Sequence, residues 1–124
     1  MRFARTVFRI AGIWGVLTLT PLYFMFHLIG RNDPPPLTHP GFFYGFLGAA
    51  LAWQLAFFVV ATDPVRYRPI MIPSILEKFS YGAAVVFLVL QGRMHVSDLV
   101  FGGVDLLLCV LFAVAYFKTP TCTV

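Results

Sequence analysis

The sequence predicts an all-α fold, a bundle of four antiparallel transmembrane helices that forms one integral membrane domain over residues 1–124. Hydrophobic residues make up 60% of the chain and charged residues only 11%, whereas about a quarter of the residues in a soluble domain are charged. The mean hydropathy is +0.86. Four apolar stretches have about the length of a helix that crosses a hydrocarbon core, which is roughly 20 residues. They cover about residues 7–29, 41–62, 73–91 and 97–117.

The first predicted helix ends at Gly30, a residue that suits the left-handed conformation after a helix C-terminus. Pro21 lies inside it and predicts a kink, because proline lacks the amide donor of the helical ladder. The hydroxyl groups of Thr18 and Thr20 are expected to meet the freed backbone groups.

The second predicted helix carries small residues at an approximate four-residue spacing. Such a stripe lies along one helix face and allows another backbone to pack closely. A lipid, a quinone-like ligand or a partner subunit is expected to use this face, which consists of Gly41, Gly45, Gly48, Ala49, Ala52 and Ala56.

The segment 63–78 forms an elbow between the two apolar halves of the chain. Pro64, Pro69 and Pro73 prevent one helix from running through it. The third helix is expected to start at Pro73 or Ser74, because Ser74 and Glu77 have the spacing of a capping box.

The fourth helix is expected to start at Ser97 as N-cap, with Asp98 favoured by the helix dipole. The short turn at 92–96 makes the third and fourth helices antiparallel neighbours.

Basic residues predict the orientation of the bundle. Arg31 and Arg93 fall on one side, whereas six basic residues fall on the other, so both termini and the elbow are expected in the cytoplasm. Within the elbow, Arg66, Tyr67 and Arg68 are predicted to anchor this end at the lipid headgroups. The six are Arg2, Arg5, Arg9, Arg66, Arg68 and Lys118.

Asp105 is the main functional candidate, because it lies near the middle of the fourth predicted helix. A central aspartate costs about 2.5–3.5 kcal/mol on insertion scales, and intramembrane acids usually mark functional sites. One interpretation is a proton-relay or ligand-binding carboxyl. The alternative is a structural side chain that joins helices through Gln54, Tyr81, Thr18 or Thr20.

Glu77 and Lys78 are adjacent in the third predicted helix. Neighbouring helical residues point about 100° apart, so a local ion pair is not expected. The favoured interpretation is that Glu77 caps its own helix or meets Arg66 or Arg68, while Lys78 extends towards the cytoplasmic headgroups. A cavity-lining acid/base pair is the alternative.

Histidines and acids near the outer end of the bundle match no metal-binding spacing. His27 is the one histidine clearly inside a predicted helix, and haem would require axial ligands facing each other across the bundle. We therefore predict no metal, no cofactor and no catalytic motif. The net charge of +4 does not predict nucleic-acid binding, because the basic residues flank apolar runs and form no patch among polar neighbours.

Three features together resemble small bacterial inner-membrane proteins of the broad DoxX-like type. They are the sequence Asp63-Pro-Val-Arg-Tyr-Arg-Pro69, the Glu77-Lys78 pair and a fourth helix bearing Gly102 and Gly103. The resemblance covers most of the chain and rests on the four-helix layout. Some proteins of this type accompany membrane oxidoreductases that pass electrons to quinone, so the resemblance implies an accessory or ligand-binding bundle in the inner membrane.

Three hypotheses for function follow. The favoured one is a non-catalytic bundle that binds a lipid, a quinone-like molecule or a partner subunit, with homo-oligomerisation as a further possibility; its ligand-binding candidates are Asp105, Gln54, Tyr81, Glu77, Lys78 and His27. The second is a proton-coupled small-molecule transporter, although small multidrug transporters carry an acid in the first helix and this chain has none there. The third is a membrane enzyme that isomerises or reduces a lipid, with general acid/base candidates Glu77, Lys78, His27 and Asp105. It expects Glu77, Lys78 and Asp105 to converge around one cavity.

Overall fold

The computed structural model describes residues 2–25, 39–93 and 96–120. These ranges contain no strand and four long helices, which confirms the predicted all-α class. Together with their short 3₁₀ turns, the helices form four apolar spans of 23 residues each, long enough to cross a membrane as in a multi-pass membrane protein. The helices are α1 (Arg2–Leu19), α2 (Pro40–Thr62), α3 (Met71–Leu90) and α4 (Leu99–Lys118).

α1 begins at Arg2, five residues before the predicted start at Val7, so the N-terminal basic residues belong to its first turns. Regular α-helix stops at Leu19 and a 3₁₀ turn, Thr20–Phe24, follows where Pro21 interrupts the ladder. The Thr18 hydroxyl donates to carbonyl oxygens in the preceding turn, at 2.9 and 3.2 Å. It therefore does not meet the carbonyl that Pro21 leaves free. Gly30 lies outside the described residues.

Among the described residues, the small-residue face of α2 makes no close contact with another helix. Across the described ranges, a Cβ atom built at Gly41 or Gly45 would meet nothing within 4 Å, and one at Gly48 would meet the Tyr23 hydroxyl alone, at 3.7 Å. α2 instead buries a face that contains larger side chains: Leu47, Ala50, Gln54, Phe57, Val60 and Ala61. Small residues permit close packing, but the rotation of the helix about its axis decides whether this face meets another helix.

The elbow is a turn followed by a short 3₁₀ helix. The backbone amide of Arg66 donates to Asp63 Oδ1 at 3.3 Å, and Arg68–Ile70 leads directly into α3. α3 begins at Met71, so the predicted start at Pro73 or Ser74 is wrong by a few residues. Ser74 is fully buried and donates its hydroxyl to the Ile70 carbonyl at 2.8 Å, which is the bond of a residue inside a helix and not of an N-cap.

The turn between α3 and α4 is fixed by Gly92, whose φ is +71°. Its amide donates to Val89 O at 3.0 Å, and the amide of Arg93 donates to Leu88 O at 2.8 Å. These two bonds form a Schellman motif, which requires a residue in the left-handed region and therefore favours glycine. A 3₁₀ turn, Val96–Asp98, then precedes α4, with Asp98 as the cap residue in place of the predicted Ser97.

Three phenylalanine rings join α1, α2 and α4 in the core. Phe8 and Phe112 stack with their ring centroids 4.2 Å apart, and Phe57 meets Phe112 edge-on at 5.0 Å. All three side chains are fully buried. We call this group the aromatic junction. It holds α4 against the α1/α2 hairpin by ring contact.

α3 joins the bundle by packing closely against α4. A Cβ atom at Gly82 would lie 2.6 Å from Leu106 Cγ and 3.1 Å from the backbone oxygen of Gly102, and one at Gly102 would lie 2.8 Å from Val85 Cγ1. A close backbone approach therefore joins α3 and α4, whereas α2 and α3 barely touch.

Arginines tie two helix C-termini to neighbouring elements at the basic end of the bundle. Arg5 Nε donates to Ala61 O at 3.1 Å, near the end of α2, and Arg68 Nε donates to Tyr116 O at 3.1 Å, near the end of α4. Cations are favoured at helix C-termini because the last carbonyls and the helix dipole are negative there.

Candidate functional site

Three charged side chains meet between α3 and α4. Lys78 Nζ lies 3.7 Å from Glu77 Oε2 and 3.6 Å from Asp105 Oδ1. Lys78 is only 3% exposed, while the side chains of Glu77 and Asp105 are 20% and 14% exposed. We call these three residues the charge cluster. They lie near the middle of the spans Arg68–Leu90 and Val96–Lys118, at the depth where ionic groups are most costly.

The buried face of α3 explains the position of Lys78. That face repeats every three or four residues and includes Ser74, Lys78 and Gly82. The small residues one turn before and one turn after Lys78 leave room for its long side chain against α4. Asp105 comes from α4, three residues after Gly102, so the close approach at Gly82 and Gly102 brings the two helices together beside the cluster.

The charge cluster borders a seam between α2 and α3. Lys78 Nζ lies 5.2 Å from the centre of the Phe57 ring, and Tyr81 stacks on Phe46 at 6.3 Å. An ammonium group over an aromatic face is attracted by the ring quadrupole, so Phe57 adds to the environment that holds Lys78. We call these four residues the α2/α3 seam: Phe46 and Phe57 from α2, Lys78 and Tyr81 from α3.

Gln54 is buried on the other side of α2, facing α1. Its Nε2 donates to Ala50 O at 2.8 Å, and its Oε1 has no hydrogen-bond partner among the described residues. A Cβ atom at Gly15 would overlap the Gln54 side-chain amide, so glycine at this position makes space for it. Gln54 is thus directed towards α1, and no ion pair or hydrogen bond of the described residues joins it to Asp105.

The charge cluster changes the interpretation of three residues. Lys78 does not extend to the headgroups but turns inward, because two carboxyl groups and an aromatic face are within its reach. Glu77 is paired with Lys78 and not with Arg66 or Arg68, so the expectation against a local pair was wrong. The flexible lysine stem overcomes the 100° offset between neighbours. Asp105 meets Lys78, so the three residues that the enzyme hypothesis expected to converge do lie together.

The remaining predicted residues are spread over the molecule. His27 lies outside the described residues. Arg68 also stacks on the Tyr116 ring, 3.8 Å from its centre, and Arg66 lies 5.5 Å from the centre of the Tyr67 ring. Their predicted role as headgroup anchors stays a prediction. In the part of the chain that the structure describes, no three His, Cys, Asp or Glu side chains are grouped to hold a metal ion.

The sequence contained one usable signal for the charge cluster. Ser74, Lys78 and Gly82 follow each other at four-residue spacing, so Lys78 shares a helix face with two small residues. The aromatic junction had no comparable signal, because the chain has 14 phenylalanines and their helical spacing does not single out Phe8, Phe57 and Phe112.

The fold and the charge cluster define a multi-pass helical membrane protein with a group of ionisable side chains near the middle of its spans. Comparison of the chain with protein-family models, curated proteins and solved structures finds no match.

Proposed function

We propose that this protein is a multi-pass protein of the bacterial inner membrane, of the broad DoxX-like type, and that it acts as a non-catalytic binding or accessory subunit for a lipid- or quinone-like molecule. The observation that carries the proposal is the meeting of buried Lys78 with the partly buried Glu77 and Asp105 near the middle of two membrane spans. Ionisable residues at this depth are costly and commonly mark the path or the site of a ligand or ion.

The α2/α3 seam supports the choice of ligand. It combines an ammonium group and a phenol with two phenyl rings, and its two helices barely touch. A quinone ring stacks on aromatic side chains and accepts hydrogen bonds at its carbonyl oxygens, and the ester carbonyls of a lipid accept them in the same way. Apolar walls with a few placed polar groups are typical of small-molecule sites.

The distribution of basic residues supports the orientation. Both termini and the elbow are cytoplasmic in this proposal, because Arg2, Arg5, Arg9, Arg66, Arg68 and Lys118 lie towards one end of the bundle. A partner subunit or a second copy of the chain is a compatible neighbour in the bilayer.

The proposal is tested by mass spectrometry of protein purified in a mild detergent. Wild-type protein is expected to carry a quinone or a particular lipid enriched over the bulk membrane extract, and the Lys78→Met variant is expected to lose that enrichment. Lys118→Met is the matched control, because Lys118 lies at the basic end, 4.7 Å from the centre of the Phe3 ring. A folded wild-type protein with no enriched molecule and no retained partner subunit would show the proposal to be wrong.

A proton-coupled small-molecule transporter is the second candidate, favoured by the two carboxyl groups that flank Lys78. In liposomes, addition of ethidium, a lipophilic cation, would then drive a proton flux that Asp105→Asn abolishes. Asp63→Asn is the control, because Asp63 is exposed and lies in the elbow. A wild-type flux no larger than that of protein-free liposomes, or an undiminished flux in liposomes with Asp105→Asn, would remove this candidate.

A further inference from the structure

The charge cluster contains two acids and one base. Glu77 Oε2 and Asp105 Oδ1 lie at nearly equal distances from Lys78 Nζ, 3.7 and 3.6 Å. If all three groups were ionised, the cluster would carry a net charge of −1 near the middle of the membrane spans.

The side chains around the cluster do not supply a second cation. α3 contributes Tyr81, the 3₁₀ turn before α4 contributes Asp98, and the ring of Phe57 faces Lys78 from α2. The basic residues of α1 lie in its N-terminal half, towards the basic end of the bundle. Across residues 2–25, 39–93 and 96–120, Lys78 is the one cation within ion-pair distance of Glu77 or Asp105.

We propose that the charge cluster binds one proton in addition to those of the Lys78 ammonium, and that Glu77 and Asp105 share it. An unpaired buried charge in a medium of low dielectric is strongly unfavourable, so the neutral combination of one carboxylate, one carboxylic acid and one ammonium is the stable form. Two acids that interact this closely through one base take up and release protons as a pair.

Each carboxyl group lies beside the Lys78 ammonium, so either one can bind the proton. Glu77 Oε2 is buried and has no hydrogen-bond partner among the described residues, and both carboxyl side chains retain some exposure. No bond other than O–H is made or broken when the proton passes between the two carboxyl groups. A ligand that brings a positive charge into the α2/α3 seam would replace the proton, so its binding would release one proton.

This inference rests on the proposed function, because it takes the charge cluster as the functional site. Its test, however, detects the bound proton and not the ligand. Infrared spectroscopy of protein in lipid vesicles at neutral pH measures the carbonyl stretch of protonated carboxylic acids, identified by its shift in D₂O. Wild-type protein is expected to show a band equivalent to one such group. Glu77→Gln and Asp105→Asn should each lose it, because the remaining carboxylate pairs one-to-one with Lys78.

Lys78→Met provides an independent readout. Without the ammonium, both carboxyl groups are expected to be protonated, so the band should double. Asp63→Asn is the matched control and should leave the band unchanged, since Asp63 is exposed in the elbow. Circular dichroism and a monodisperse elution profile establish that each variant is folded.

Several outcomes would overturn the inference. Folded wild-type protein without the band would mean that a bound cation neutralises the cluster or that it remains charged. A band that persists in both single variants would place the proton elsewhere, and loss in only one of them would show that the two acids do not share it. If the bands behave as expected but no lipid or quinone co-purifies, the proton site stands and the proposed ligand class fails.

Discussion

The bundle joins its helices in two different ways. α1, α2 and α4 meet through the aromatic junction, in which contact between rings holds three helices together. α3 meets α4 through a close backbone approach at Gly82 and Gly102 and through the charge cluster, and Arg68, in the 3₁₀ helix just before α3, adds a bond to Tyr116 O. Apolar side chains gain little by leaving lipid for protein, so the first contact depends on van der Waals packing and the second on fit and polar pairing.

The difference has a functional consequence. A packed aromatic contact is insensitive to protons and charged ligands, whereas a contact that contains Glu77, Lys78 and Asp105 responds to both. The α1/α2/α4 part therefore serves as the scaffold in our proposal, and the α3/α4 contact carries the site. Three substitutions test this division, each with a matched control in the same element.

Phe112→Ala is expected to have the largest effect on stability. It removes the ring that contacts both Phe8 and Phe57, and truncation of a buried phenylalanine typically costs about 3–5 kcal/mol in the free energy of unfolding. Phe117→Ala is the control on the same helix, because Phe117 is 81% exposed. Unfolding in detergent micelles titrated with SDS measures both. Equal losses in the two variants would refute the aromatic junction as the main contact between α4 and α1/α2.

Gly102→Leu is expected to have an intermediate effect, a loss of about 1–3 kcal/mol, because its side chain would collide with Val85 and separate α3 from α4. Gly103→Leu tests the same change one residue later. A Cβ atom at Gly103 would meet nothing within 4 Å, so this variant should stay within about 0.5 kcal/mol of wild type. The SDS titration again gives the free energies. If Gly103→Leu is the more damaging variant, the orientation of α4 described here is incorrect.

Arg68→Met is expected to have the smallest effect, a loss of about 1 kcal/mol, because one partly buried hydrogen bond to Tyr116 O and one ring contact disappear. Arg66→Met is the control, because Arg66 is exposed and its ring contact is with the adjacent Tyr67. Thermal unfolding in detergent compares the two. A loss for Arg66→Met that matches or exceeds the loss for Arg68→Met would contradict a specific role for Arg68 at the end of α4.

Much of the fold follows from the sequence, and the candidate site follows from it only in part. The apolar stretches located all four helices, but the start of α3 was displaced because Ser74 and Glu77 fit a capping box while Ser74 bonds back to Ile70. The position of Asp105 near the middle of an apolar helix was enough to single it out as a functional candidate. The sequence favours the headgroups as the partner of Lys78, whereas the structure pairs it with Asp105. A lysine on a helix can extend outward to the headgroups or turn inward to an acid, and the sequence does not show what lies across the interface.

The sequence by itself determined that four apolar helices are present and in what order they follow each other, because only a long apolar helix satisfies its backbone within a bilayer. The tertiary structure decided which helix faces meet. It left the small-residue face of α2 without a close helix contact among the described residues, placed the close approach between α3 and α4, and directed Lys78 inward to two acids. These outcomes depend on the rotation of each helix about its axis, which is set by contacts between residues far apart in the chain.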